Sequence, residues 1–412
     1  MLNIGIAGPI SIRPFARELR CTDDSGPALP AGLGGTPLEH LVRALLARGY
    51  PIVVFTLDPA VPSEVILEGS RIRFCIGPYR ARHRARDLFS AERAWMAEAM
   101  RREAPDLVHA HWTYEFAMAA LDSGRPTLVT AHDAPLRVLR FTPDPYRLVR
   151  LLMSGRVARR APHLTAVSPY VARHFRRWLG YRRPIAVVPN PLPDEIFALG
   201  NDDGARSPKS PFTVATILSG WSGLKNGAAA LRAMALVRKQ LPQARLLMFG
   251  QHYASGGPAE IWSRTRRLTE GVEFGGALPN SELLRRLRHE AHVLLHPSRE
   301  ESFGMPVAEA MALGLAVVGG QSSGGVPWVL DEGRVGLLVD VKSPAALARG
   351  LLDLARDPQL RTRLGLAARD SAWRRFRSAA VAVQYEALYE QLLHSSAHAD
   401  HRSGFEIACD EC

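Results

Sequence analysis

Cysteine is scarce in this chain, four in 412 residues. That is too few for a disulfide framework and points to a reducing compartment, so the expected location is cytoplasmic. No apolar run approaches the roughly 18 residues a membrane span requires. The N-terminal MLNIGIAG has no basic n-region and reads as a first strand, not as a leader. Nucleotide fingerprints of the commonest kinds are missing too. No Gly-x-Gly-x-x-Gly follows the first strand, which argues against a nicotinamide dehydrogenase. No P-loop is present, since SGLKN lacks both the spacing and the hydroxyl. No binding motif or interleaved aromatic accompanies the arginine clusters, so nucleic acid is not expected as a partner. An Asp-x-Asp pair, which would hold a divalent ion, is likewise absent, and no metal or other cofactor is expected.

What is present is a composition of 47% apolar and 22% charged residues, that of a globular protein with two domains of similar size. The first half alternates helices with short β-branched runs: NIGIAG, YPIVVFTL, RIRFCI, DLVHAH, PTLVTAH, LTAVS and IAVVP. Several are apolar throughout, as strands of a parallel sheet covered on both faces must be. In TPLEHLVRALLARGY, Thr36 and Glu39 read as a capping box, Pro37 as the first helical position and Gly49 as the stop. Residues 199–211, LGNDDGARSPKSP, read as a linker. The alternation then restarts with TVATIL, RLLMFG, VEFGG, HVLLHP, LAVVGG and GLLVD. Helices are expected near 344–355, 358–374 and 377–394. The fold class is α/β, with domains at 1–198 and 212–375, a last helix at 376–394 and a polar tail at 395–412.

A formal net charge of +12 collects in the first half, at Arg80, Arg82, Arg84 and Arg86, and from Arg137 to Arg160. It reads either as a solvated face or as a surface for an anionic membrane or phosphorylated ligands.

The densest chemical signal is SREESFGMPVAEAMALG, residues 298–314. It reads as a loop entering a helix, with Pro306 near its start and Gly314 past its end. The amides of Phe303, Gly304 and Met305 then lie at the positive helix terminus, an anion site to which Gly304 allows close approach. Glu309, one turn in, and Glu301, on the incoming loop, are acceptor-only carboxylates on either side of that cradle. They suit the ribose and the hexose of a nucleotide sugar. Helix acids stabilised by the macrodipole account for one carboxylate but not for the loop acid or the glycine.

This segment resembles the Glu-x7-Glu signature of retaining glycosyltransferases of family four, whose fold is GT-B, two facing Rossmann-like domains with a C-terminal helix crossing back to the N-terminal one. GLGGTPLEHLVRALLARGY, TLVTAHD, VVPNPLPDEIF and LKNGAAALRAM resemble further parts of that family, over nearly the whole chain. The resemblance implies transfer from a nucleotide-diphosphate sugar, the co-substrate, with no separate cofactor. The donor would be held by the C-terminal domain, and a sugar, lipid-linked or small-molecule acceptor by the N-terminal one. It implies that Glu309 holds the ribose, Glu301 the hexose hydroxyls and Lys225 the diphosphate. Phe303 and Gly304 would offer amides, His132 would contact the sugar near its anomeric centre, and Gly34 and Gly35 would form the acceptor loop. The basic face, read from charge alone, fits polysaccharide or glycoconjugate synthesis as the setting and peripheral attachment to the cytoplasmic membrane.

Two positions depart from the family pattern. Gly220 stands where an arginine is usual, and Trp328 where a glutamate is usual. A non-catalytic sugar-nucleotide-binding protein is therefore an alternative. A serine hydrolase using Ser322 of GQSSG is another. His394, His398, His401, Cys409 and Cys412 invite a zinc reading but lack a second knuckle.

Overall fold

The computed structural model describes residues 2–19, 29–201 and 211–403, the last eight of these by backbone alone. They divide into two compact units, one comprising residues up to Pro191 and from Ser378 onward, the other Leu192–Arg377.

The first unit contains β1 (Ile4–Ala7), β2 (Ile52–Asp58), β3 (Val65–Glu68), β4 (Ile72–Pro78), β5 (Leu107–His111), β6 (Thr127–Ala131), β7 (His163–Ala166) and β8 (Ile185–Val187). They form one sheet in the order β3-β4-β2-β1-β5-β6-β7-β8. β2, β5 and β6 are buried at every residue, which is why their sequences are apolar without alternation. β3 is the strand that pattern reading missed. It pairs antiparallel with β4 at the sheet edge, and its four residues alternate between half-buried and exposed, too short a run to register as a period.

The second unit contains β9 (Thr213–Ile217), β10 (Arg245–Phe249), β11 (Val272–Gly276), β12 (Val293–Leu295), β13 (Ala316–Gly320) and β14 (Leu337–Val339). Their order is β11-β10-β9-β12-β13-β14, with every pairing parallel. In each sheet the strand order reverses once, beside β1 in the first and beside β9 in the second. The carboxyl ends at such a reversal leave a crevice where ligands bind. The β1/β5 and β9/β12 ends are therefore the places to look.

Several local expectations need correction. The capping box at Thr36 does not form. Gly35 is the N-cap at φ 118°, no side chain caps the helix, and Thr36 is already helical. A Cβ on Gly35 would stand 2.0 Å from Pro9 O, so the close approach of two backbones chooses the cap, not the hydroxyl. The first unit ends at Pro191 and not near 198, because Leu192 N–H donates to Phe376 O at 2.7 Å. Asp194 is moreover paired with Arg377. Of the linker, residues 202–210 lie outside the described residues, and residues up to Gly200 are still helical. The last helix is longer than expected, Ser378–Ser403, and takes in part of the stretch read as tail. The side chains of His398, His401, Cys409 and Cys412 lie outside the described residues. Among those described, no group of three His, Cys, Asp or Glu could hold a metal.

That last helix is built into the first unit. Val381, Ala382, Tyr385, Tyr389 and Leu392 share one core cluster with Leu38, Leu41 and Leu45 of the Thr36–Ala47 helix and with β1. Tyr389 Oη lies 2.8 Å from His109 Nδ1, and His109 Nε2 lies 2.7 Å from Thr130 Oγ1. His109 is thus a satisfied core residue, as its place on β5 suggested.

Candidate active site

In the second unit the site is built from loops after β9 and β12. The β12 loop is fastened on both sides. Arg299 N–H donates to Leu224 O at 2.8 Å, and Gly325 N–H to Glu301 O at 2.7 Å. Asn226 donates its side-chain amide to Pro297 O (3.0 Å) and Val341 O (2.8 Å). Ser323 Oγ donates to Ser298 O at 2.6 Å. The loop therefore has its shape before any ligand arrives, and its ordering entropy is met in folding.

The loop ends at Gly304, N-cap of the helix Met305–Ala312, with φ 97°. A side chain there would be strained and would stand over the helix terminus, where Gly304 and Met305 present backbone N–H groups. The Phe303 side chain turns the other way. It is buried, with ring centroids 5.2 Å from Phe376 and 6.3 Å from Trp328. Trp328 is thereby explained as packing. Its ring closes over Phe303, and Arg375 donates to its carbonyl at 2.8 Å.

The two carboxylates have opposite surroundings. Glu301 Oε1 accepts from Lys225 Nζ at 2.7 Å and lies 3.3 Å from His296 Nε2. Burial would push its pKa up, but His296 and Lys225 outweigh that and hold it down at about 2. Glu309 is buried and, among the described residues, no hydrogen-bond donor or cation meets its carboxylate. Burial alone pushes its pKa up to about 7. A buried carboxylate without a donor is costly and is found where a ligand completes it.

Gly220 stands at φ 90° with no side chain to offer. Beside it, His252 Nδ1 accepts from Trp221 N–H at 3.1 Å. Lys225 is the one cationic side chain between Ser219 and Asn226.

In the first unit the ends of β5 and β6 bring histidines together. His111 Nδ1 and His132 Nε2 are 2.9 Å apart, and Trp112 stacks on His132 with centroids 4.1 Å apart at 21°. Trp112 has φ 63°, a conformation costly for a bulky residue and concentrated at functional sites. Burial depresses the pKa of His132 to about 3, so its ring is neutral near pH 7. Next to it lies a cavity of about 310 Å³ lined by Trp112, Tyr114, Asp133, Tyr146, Arg147 and Arg150 among others. A second, of about 240 Å³, is lined by Pro9, Leu33, Tyr79, Trp112, Glu115, Phe116 and Arg150. Leu33 precedes Gly34 and Gly35, which places the glycine loop at its edge.

Arg150 is held in that wall by aromatics and acids. Its guanidinium lies 4.1 Å from the Tyr114 ring centroid and 5.0 Å from that of Tyr146, and 3.5 Å from Glu115. Tyr114 Oη donates to Asp133 at 2.5 Å. Burial pushes the pKa values of both Glu115 and Asp133 up. Trp112, Tyr114 and Asp133 were not singled out from sequence, and their one signal was position, directly after the DLVHAH and TLVTAH strands. Arg150 stood out only as one of the charges between Arg137 and Arg160.

The family models match in two stretches. That for glycosyltransferase family 4 covers residues 35–195, and that for glycosyl transferases group 1 covers residues 218–371. The chain is a family 4 glycosyltransferase. It is similar to N-acetyl-alpha-D-glucosaminyl L-malate synthase of Bacillus anthracis, 26% identical over 88% of this chain and 94% of that protein. It is also similar to D-inositol 3-phosphate glycosyltransferase of Segniliparus rotundus, 29% identical over 63% of this chain and 61% of that one. Its fold is GT-B. Sucrose-phosphate synthase of Thermosynechococcus elongatus superposes with a TM-score of 0.73 at 21% identity, covering 96% of this chain and 100% of that one. Anabaena HepE, solved with UDP and glucose, gives 0.68 at 16% identity, covering 95% and 100%.

One expectation does not fit the transferase as built. Ser322 is exposed in a turn, and the helix after it, Val326–Val329, has four residues, so no nucleophile elbow forms. Some arginines of the two clusters are paired within the protein. Arg80 is paired with Asp87 and Glu92, Arg147 with Asp144, Arg150 with Glu115 and Arg160 with Asp122. Charge counting could not show these pairs, and the partners of Arg150 and Arg160 are distant in the chain. No helix of the described residues is long and apolar enough to cross a membrane.

Proposed function

We propose that this transferase moves a hexose from a nucleotide-diphosphate sugar to an acceptor hydroxyl with retention of anomeric configuration and without a metal ion. The observation that carries this reading is the pairing of Lys225 with Glu301 beside a helix terminus whose next acid, Glu309, is buried and without a partner. Glu309 takes the ribose diol. The N–H groups at Gly304 and Met305, with Lys225, take the diphosphate, and Glu301 takes the hexose. These groups do the work a divalent ion would do, stabilising charge on the leaving diphosphate. No side chain stands out as a covalent nucleophile. The protein's part is to hold the reactants and that charge.

The acceptor belongs in the first unit, in the cavity walled by Trp112, Tyr114, Tyr146 and Arg150. Its volume, about 310 Å³, is that of a small-molecule site. The names of the relatives specify L-malate and D-inositol 3-phosphate, and a small polar acceptor of that kind suits these walls better than a polymer.

Two experiments follow. Nucleotide diphosphate affinity should be unchanged by EDTA. A Kd that weakens tenfold or more on chelation would sink the metal-free reading. A thermal-shift screen against UDP, GDP and ADP identifies the base, since a ligand bound only by the folded state raises Tm.

Peripheral attachment to an anionic bilayer, in this reading, runs through the exposed face of the Pro145–Arg160 helix. That face carries Leu148 and Leu152, 49% and 51% exposed, followed by the exposed Arg156 and Arg159. The protein should sediment with anionic vesicles and be released by salt, and Arg156→Glu with Arg159→Glu should abolish the effect. Equal recovery with neutral and anionic vesicles at low salt would return this helix to a plain solvated face.

A further inference from the structure

Three rings meet at the ends of β5 and β6. His132 is stacked under Trp112 and bonded edge-on to His111, and His109 lies behind His111 with ring centroids 4.1 Å apart. His109 has both nitrogens engaged, by Tyr389 and Thr130. The groups around His111 are thus neutral rings and hydroxyls. His111 and His132 both have strongly depressed pKa values, chiefly from burial, so neither ring carries a charge.

A hydrogen bond between two neutral imidazoles holds a single proton, and there are two ways to place it. If His132 donates from Nε2, His111 accepts on Nδ1 and must carry its own proton on Nε2. That atom is buried and meets no partner among the described residues, so a donor would be orphaned there. If His111 donates from Nδ1, its Nε2 is left as a bare lone pair, the milder of the two defects. Orphaned buried N–H groups are rarer in proteins than under-used acceptors. The second arrangement leaves His132 protonated on Nδ1, its one nitrogen without a partner among the described residues.

We infer that His111 is a positioning residue that fixes His132 as the Nδ1–H tautomer, so that His132 meets the substrate as a hydrogen-bond donor and not as a base. Trp112, held in its strained conformation, fixes the plane of the same ring. The two together set which atom faces the substrate and in what direction. This rests on the reading of His132 as a substrate-contacting residue, and it adds the direction of its hydrogen bond. A neutral donor suits a hydroxyl or an oxygen gaining negative charge as a bond to it breaks. The signal for His111 was its spacing in HAH, which on its own reads as core.

The test is a long-range proton–nitrogen correlation spectrum of the full-length protein labelled with 15N-histidine, His111 and His132 being assigned through the His111→Asn and His132→Asn variants. Both residues should show Nδ1 as the protonated nitrogen. A spectrum with His132 protonated on Nε2 overturns the inference. A kinetic arm uses whichever of UDP-glucose, GDP-mannose and ADP-glucose the wild type hydrolyses. His111→Leu should lower kcat by tenfold or more with KM within about threefold. His111→Asn, whose amide N–H can still donate to His132 Nε2, should recover to within about threefold of wild type. Equal losses in the two variants, at matched Tm, would make His111 a packing residue and overturn the proposal. If His132→Asn leaves kcat unchanged, it is the functional reading of His132 that fails, and the tautomer in the spectrum is judged separately.

Discussion

Glu309→Ala should weaken nucleotide diphosphate binding by roughly ten- to a hundredfold, the range for a hydrogen bond to a charged acceptor of about 1.5–3 kcal/mol. The proposed contact to the ribose would be the same in ground state and transition state, so the loss belongs in the donor KM and not in kcat. Isothermal calorimetry with the nucleotide diphosphate selected by the thermal-shift screen measures it. Stability should move the other way. Glu309 keeps its proton in the folded protein up to about pH 7, against an ordinary 4.5. Between those pH values the folded state binds the extra proton, so stability falls as pH rises through that window and stays low above it. The gap corresponds to about 3 kcal/mol at most, at 1.36 kcal/mol per pH unit. Glu309→Gln keeps the volume and removes the titration. Its Tm should therefore exceed the wild type's at pH 8 and converge with it near pH 4. A variant that loses Tm at pH 8 and binds nucleotide normally would make Glu309 a stabiliser of its helix and remove the main support for its ligand role.

The same experiment on Glu301 should have the opposite sign. Its pKa is held at about 2 by His296 and Lys225 against the push of burial. Its contribution to stability is therefore complete above about pH 4.5 and is lost as pH falls toward 2. Glu301→Gln leaves Lys225 without its partner, so Tm should drop at pH 7 and the difference from wild type should shrink in acid. Catalysis separates the two acids again. In the proposed arrangement Glu301 faces the hexose, whose ring flattens and gains charge as the diphosphate leaves, so Glu301→Ala should lower kcat by roughly ten- to a hundredfold. Nucleotide diphosphate affinity should not weaken, because Lys225 is released from Glu301 and remains available to phosphate. Steady-state kinetics together with nucleotide binding decide this. A loss of diphosphate affinity with kcat intact would exchange the roles assigned to the two acids.

The strands of both sheets were legible because a parallel sheet buried on both faces favours short apolar runs, and the thirteen runs read from the sequence, several of them apolar throughout, stand as strands. β3 was not, because an edge strand of four residues leaves no periodic trace. Around Glu301 and Glu309 the sequence told more than elsewhere, since glycine, proline and two acids at one helix start have few structural explanations. It could not tell that Lys225 and Glu301 meet each other, because 76 residues separate them. The wall around Arg150 was hidden for the same reason. Tyr114 and Glu115 come from the connection after β5, Asp133 and Tyr146 from the one after β6, and they look like ordinary surface residues until the sheet gathers them. In the arginine clusters composition counts charges but cannot show which of them the fold pairs, as it pairs Arg80 with Asp87 and Glu92.

The helix Ser378–Ser403 has a consequence for how this chain is made. The unit that leaves the ribosome first lacks Tyr385, Tyr389 and Leu392 until the end of synthesis, and those side chains are part of its core. Residues Leu192–Arg377 are complete before that point. The second unit can therefore close while the chain is still being extended, whereas the first must wait with His109 lacking its Tyr389 partner and the Leu41–Leu45 face uncovered. For most proteins built of several domains, the order of synthesis is also the order of folding. Here the two run in opposite directions, and a chain stopped short of residue 378 would leave its earliest part unfinished.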